Sequence, residues 1–475
     1  MTLKEQLSLK DIFADCQHLL IDEAPTFFQL LEEHINIGDF IPSTFCNAFH
    51  QKLGRKRDYP LTGFLSSLIL QKILSIPSDS LLILMLNICK ELRDFCGFSK
   101  VPDAPLFTRF KHTFCPWIEQ MFHNMVEHTE PICQAIDATL ANMLIFDTTG
   151  IELFVKENNP KTLNSLIRNL KSYYRDNPNV DPYKMAYGLM PSCAVSAPNA
   201  KQQYINGHFC YADKFAVLTN GLGIVRHIAF LDDDFKDAHP ELVVDKKSDS
   251  PDEDKSIGDS SALKPVLSDF FNLHPTFRPD TFMGDSACDS IQTYSALKDA
   301  FGFSKALIPY NPRNETSLDK VGYNAYGYPT CPHDSSLDMV YKGLCREEGR
   351  ADRFKWGCPK IHMLKGLWVC SCHDPCTSAK RGRTAYTYEN MDFRMFPGIQ
   401  RDSDQWRELY KIRTSVERAI NHFKTNMCIA GRKSRDHFTT KADVFFADIA
   451  SQFTVIVAAN IRKPQFIRSL KPLAA

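Results

Sequence analysis

Four residues near the end of the chain, Tyr410, Arg413, Glu417 and Lys424, have types and a spacing that suit joint chemistry. At about 100° per residue on a helix they fall within roughly 60° of one another, so a phenol, a guanidinium, a carboxylate and an ammonium line one face. Such a face could hold a metal and phosphates together. The segment carrying them, Trp406 to Met427, reads as a helix. Asp402 and Ser403 are available as N-caps, Gln405 completes a capping box with Asp402, and Gly431 lies beyond the far end as a stop. Leu409, Ile412, Val416, Ile420, Phe423 and Met427 recur three or four apart, so one side of this helix packs on a core.

Two more acids stand out by context. In MLIFDTTG an apolar run immediately precedes Asp147, which predicts a buried strand delivering an acid at its C-terminal end. TFMGDSACDS repeats the theme with Asp285. Divalent magnesium prefers a few carboxylate oxygens and leaves positions open for phosphate and water. Two such ions about 4 Å apart activate an attacking oxygen on one side of a phosphorus and stabilise the leaving oxygen on the other. Taken singly each acid is weak evidence, because Asp at a strand end is commonly a turn residue and Glu on a basic helix an ion-pair partner. Competing acids are Asp137, which precedes its strand; Asp289, placed to start a helix; and Asp232, Asp233 and Asp234, which read as a solvated turn. His208 reads as a polar contact near these acids or as a histidine satisfied within the sheet.

Elements must bring these residues together. The 475-residue chain is long enough for two or three domains, and its composition is that of a soluble globular protein. Net charge is zero but segregated: Arg401 to Arg435 holds nine Lys/Arg against four Asp/Glu, and Asp232 to Lys255 four against ten. A basic surface for nucleic acid is therefore compatible with neutrality overall. The first residues carry acids and lack a long apolar stretch, and Leu81 to Cys89 is too short to span a bilayer, so the expectation is a cytoplasmic protein with reduced thiols.

Residues 1–135 read as mostly helical, with helices over Gly63–Ser75 and Leu81–Phe95, the latter capped by Ser80. Pro102 and Pro105 then precede the basic and aromatic stretch FTRFKHTF, which reads either as part of a DNA-binding head or as a packing domain with Arg109, Lys111 and His112 solvated. A core over 140–310 follows: the Asp147 strand, a helical insertion, a hairpin turning at Asn220-Gly221 and Gly223, an acidic mobile loop over about 232–261, a helix, the Asp285 strand, a helix and a last strand. Residues 311–401 are too long for a loop and read as an inserted subdomain, and 402–465 complete the core. This is an α/β fold, a mixed sheet flanked by helices. Six of the sixteen cysteines fall in the insertion; Cys358, Cys370, Cys372 and Cys376 read either as structural zinc ligands or as buried and free thiols.

With these residues in place, the chain resembles the insertion-sequence DDE transposases that carry a YREK signature. Tyr410, Arg413, Glu417 and Lys424 match that signature at its spacing, Asp147 in FDTTG and Asp285 in GDS match the two aspartates, and ELRDFCGF and VPDAPLFTRFK resemble the helical N-terminal domain. The resemblance covers about Leu61 to Asn460. It implies an RNase H-like catalytic fold in which Asp147, Asp285 and Glu417 hold two Mg2+ or Mn2+ ions. Tyr410, Arg413 and Lys424 would contact transposon-end DNA, the last two as phosphate-binding cations. Duplex DNA is the implied substrate and a second copy of the chain the implied partner. Two other readings are a transposase-derived DNA-binding protein without catalysis and an RNase H-like nuclease.

Overall fold

The computed structural model describes residues 27–50, 57–175, 177, 179–205, 208–242, 257–311, 322–324, 327–347, 349–350, 352–388, 397–401 and 403–474. The fold is mixed α/β, with a helical N-terminal region. Seven strands form the main sheet: β1 (Met143–Glu152), β2 (Cys193–Ala194), β3 (Ala197–Ile205), β4 (His208–Thr219), β5 (Val225–Phe230), β6 (Thr281–Met283) and β7 (Lys305–Leu307). Their order is β2-β3-β4-β1-β6-β7, with β5 on β4. Pairing is antiparallel from β2 to β5 and parallel along β1, β6 and β7.

The chain divides into two compact units, and not at the boundaries the sequence suggested. One comprises 1–141, 148–257 and 415–475, the other 142–147 and 258–414, so β1 contributes to both. The helical N-terminal region is thus no unit of its own.

In the first unit the helix Ala104–Ile136 packs along the helix His437–Asn460, which also meets Leu61–Ile73. Asp436 caps the His437 helix by accepting from the Thr439 amide at 2.7 Å. That helix is long and apolar enough to cross a membrane, yet 89% of its apolar window is buried within the fold, as for a core helix. The Ala104 helix runs for 33 residues with Pro116 and Pro131 inside it, so the prolines did not mark its limits. Ser78, and not Ser80, caps the next helix, Asp79–Ile88, and Lys90–Phe95 is a separate helix after Cys89.

Lys111, expected on a solvated or DNA-facing surface, is 1% exposed and sits 2.7 Å from Asp79 and 3.1 Å from Asp443. Lys72 lies 3.0 Å from Asp443, and Arg432 joins the same two acids. Burial drives Lys72 down to about 7, with Arg432 adding to the drop and Asp443 opposing it. A buried charge is tolerable only when paired in this way.

The acidic segment is also ordered differently. Asp233–Ala238 is a helix, and Asp232, expected in a solvated turn, is 5% exposed and caps that helix through the Phe235 amide at 2.9 Å. Residues 243–256, the body of the expected mobile loop, lie outside the described residues. The predicted hairpin is present as β4 and β5, with Gly223 at φ +78° in its turn. Strands β2 and β3 were not anticipated; Ala197–Ile205 reads APNAKQQYI, too polar to signal a strand.

In the second unit β6 lies between the first half of β1 and β7. The helix Asp259–Leu273 precedes β6, and Ile291–Ser295 with a π turn over Ala296–Ala300 precedes β7. The inserted segment forms small antiparallel sheets of its own between Thr330 and Tyr388, closed around Trp356, whose indole donates to Thr387 Oγ1 at 2.9 Å.

Candidate functional site

The segment expected as one helix is a helical run with three changes of pitch. An α-helix over Asp404–Tyr410 tightens to a 3-10 turn at Lys411–Arg413, returns to α over Thr414–Asn421 and widens to a π turn at His422–Asn426. Ser403 caps it through the Trp406 amide at 3.1 Å, while Asp402 lies outside the described residues, and with it the expected capping box. Val416, Phe423 and Met427 are fully buried as the apolar stripe requires, and Leu409, Ile412 and Ile420 are half-buried.

Asp147 is the fifth residue of β1, mid-strand and not at its end. The β1–β6 pairing nevertheless stops at Ile145 and Met283, short of both acids. Asp147 and Asp285 thus each follow the last paired residue of their segment by two positions. Asp285 follows β6, is half-buried, and caps a short 3-10 turn by accepting from the Ala287 amide at 3.0 Å. The Cys288 thiol lies 3.7 Å from the same carboxylate; burial, with Asp285 adding to it, pushes that thiol well above its ordinary range.

Two residues of the helical run meet this pair within the second unit. Arg413 Nη2 lies 3.4 Å from Asp147 Oδ2. The Tyr410 hydroxyl donates to the Gly284 carbonyl at 3.2 Å, next to Asp285, and its ring stacks on Trp406 with centroids 4.7 Å apart. In the first unit, Lys424 Nζ donates to Thr149 Oγ1 at 2.5 Å, and Glu417 is exposed on the Thr414–Asn421 helix.

Other candidates have structural employment. Asp137 caps the turn Ala138–Ala141 through the Leu140 amide at 2.9 Å. Asp289 is fully buried, accepts from the Asn311 amide at 2.8 Å and faces Arg401 at 3.7 Å; Ser290 caps the following helix in its place. The His208 side chain lies outside the described residues.

The donors at the acids are carboxylate oxygens, the type that magnesium prefers. Among the described residues, no three His, Cys, Asp or Glu are grouped so as to hold a metal ion, at the acids or in the cysteine-rich segment. There Cys370 lies within hydrogen-bonding reach of Cys372 and of Cys358, a series of thiols without a common centre, and Cys376 is half-buried. The described cysteines are free thiols.

Sequence reasoning missed a buried trio. His437 Nε2 lies 2.9 Å from Asp232 Oδ2, and its Nδ1 lies 3.1 Å from Asp213 Oδ2, close enough for an ion pair but out of hydrogen-bond alignment. It also missed Asp448, on the same long helix. The only available signal was the occurrence of Asp443 and Asp448 within an apolar run.

Residues 16–113 match the model of a transposase domain, Transposase domain (DUF772). That match supports a transposase role for the chain. It spans the helices from Ser43 to Phe95 and the first turns of the Ala104 helix, including Lys72, Asp79 and Lys111 of the buried ionic network. No curated protein and no solved structure matches the chain.

Proposed function

We propose that the chain is a DDE transposase with an RNase H-like catalytic core, cutting and joining DNA at the ends of its own element. The observation that carries the reading is that Asp147 and Asp285 each follow the last β1–β6 pair by two residues, with the Arg413 guanidinium against Asp147 and the Tyr410 hydroxyl on the carbonyl of Gly284. Asp147, Asp285 and Glu417 would hold Mg2+ or Mn2+, two ions in all. When bound, these would neutralise the carboxylates that hold them and activate the attacking oxygen. Arg413 and Lys424 would bind backbone phosphates and Tyr410 would orient the strand, so that the chain's contribution is chiefly positioning and charge stabilisation. The partners are duplex DNA, bound with strong salt dependence, and a second copy of the chain to bring two ends together.

Asp285→Asn tests the reading. Cleavage of a labelled element-end duplex in Mg2+ should fall by at least a hundredfold while binding of the same duplex stays within threefold; cleavage at the wild-type rate refutes the assignment. One observation favours a second reading, a DNA-binding protein that does not cut: a guanidinium already lies beside Asp147. Absence of metal-dependent cleavage by the unaltered chain, with binding retained, would select it.

A further inference from the structure

A cavity of about 230 Å³ opens beside the Thr414–Asn421 helix on the side of Arg418 and His422, within the first unit. At its inner end is Asp448, 1% exposed, with neither carboxylate oxygen hydrogen-bonded to any described residue. Burial alone raises this carboxyl well above its usual range. A buried acid with both oxygens unsatisfied is costly and calls for an occupant with donors. The walls are apolar: Ile224, Phe423 and Ile467.

The mouth is cationic. Arg468 is fixed by two bonds from its guanidinium to the Leu222 carbonyl, at 3.1 and 2.7 Å. Its pKa is lowered by burial and by the nearby Arg418, so the two guanidinium groups crowd each other. His422 is lowered by burial, Lys471 and Arg468 together. Like charges gathered at one opening favour an anion between them.

We infer that this cavity is a nucleotide subsite in which Asp448 receives the donor edge of a guanine and Arg418 with Arg468 receive its phosphate. Three requirements select the ligand. Adjacent N–H donors on both oxygens would return the carboxyl from its neutral to its charged form, and guanine's ring N–H and amino group supply such a pair, whereas adenine offers only its amino group. The walls need a flat apolar body, and a cavity larger than the about 150 Å³ that accommodates benzene admits a base ring. The mouth needs an anion. The site belongs to the unit that does not contain Asp147 and Asp285, and it stands whether or not the protein cuts DNA. The guanine could come from a free nucleotide or from an unpaired position in a DNA strand.

Calorimetry on the full chain separates these cases. The titrants are GMP, AMP, inorganic phosphate, and a short single strand carrying one guanine or an abasic residue at that place. GMP should bind at least tenfold more tightly than AMP or phosphate. Asp448→Asn, which keeps the side-chain shape and removes one acceptor, should weaken GMP at least tenfold and leave phosphate within twofold; Arg418→Ala should weaken both. Guanine-dependent strand binding that is lost in Asp448→Asn, with no binding of free GMP, assigns the source to DNA and sustains the subsite. GMP no tighter than phosphate, together with a strand indifferent to its guanine, overturns it and leaves a hydrated anion-lined void. Far-UV circular dichroism of both variants checks that they are folded.

Discussion

The protonation of His437 makes a prediction that the structure quantifies. Its ring is 8% exposed between the carboxylates of Asp213 and Asp232. Burial by itself would lower its pKa, but the two acids outweigh burial and hold it at about 9, against 6.5 for the free side chain. A displacement of roughly 2.5 units, at about 1.36 kcal/mol each, corresponds to about 3 kcal/mol. Because the folded value lies above the unfolded one, this stabilisation is complete below pH 6.5 and is lost as pH rises through 9. Lys72 acts in the opposite sense: its folded pKa is lowered to about 7, so its contribution improves as pH rises from 7 towards 10.5. The informative quantity is therefore the difference between wild type and His437→Gln. Urea unfolding should separate the two by about 3 kcal/mol at pH 6 and by well under 1 kcal/mol of this contribution at pH 9.5. A chain of this size need not unfold in one step, so the ring should also be titrated directly by NMR with labelled histidine. A midpoint at or below 6.5, or a gap between the proteins that is equal at both pH values, would refute the reasoning.

Two further substitutions probe the packing within each unit. Asp443→Asn strips the shared acceptor from Lys72, Lys111 and Arg432 and should cost about 3–5 kcal/mol, read as a lower urea midpoint; a loss under 1 kcal/mol would mean the network is not the tie it looks like. Gly398→Ala drives a Cβ into the Ser304 carbonyl oxygen at φ +75°, so soluble yield and thermal midpoint should both collapse, and an unchanged midpoint would contradict that packing.

The signature run was legible because its signals are local: Ser403 as a cap, a 3.6-residue stripe through Val416 and Phe423, and polar groups held off that stripe. The strand acids were legible for a similar reason, an apolar run ending at a carboxylate, although Asp147 is mid-strand because β1 continues past it through Thr148, Thr149 and Gly150, the last of which reads as a strand breaker. What escaped depends on distant partners. Lys111 reads as solvated until Asp443, more than three hundred residues away, is brought beside it. Asp232 reads as a turn acid until His437 arrives. The changes of pitch within the run, a 3-10 turn before Glu417 and a π turn spanning Lys424, follow from packing on both sides and leave no mark in the spacing.

The buried ionic network also bears on the order of events during synthesis. Lys72 and its acceptor Asp443 are separated by 371 residues. At a ribosomal rate of about 5–20 residues per second, the Lys72 helix emerges roughly 20–70 s before its counter-charge exists. Throughout that interval Lys72 has no counter-charge and Lys111 has only Asp79, so burial of this pair waits for the chain's last long helix. A nascent chain released before Asp443 would therefore be a substrate for proteases and not a stable fragment.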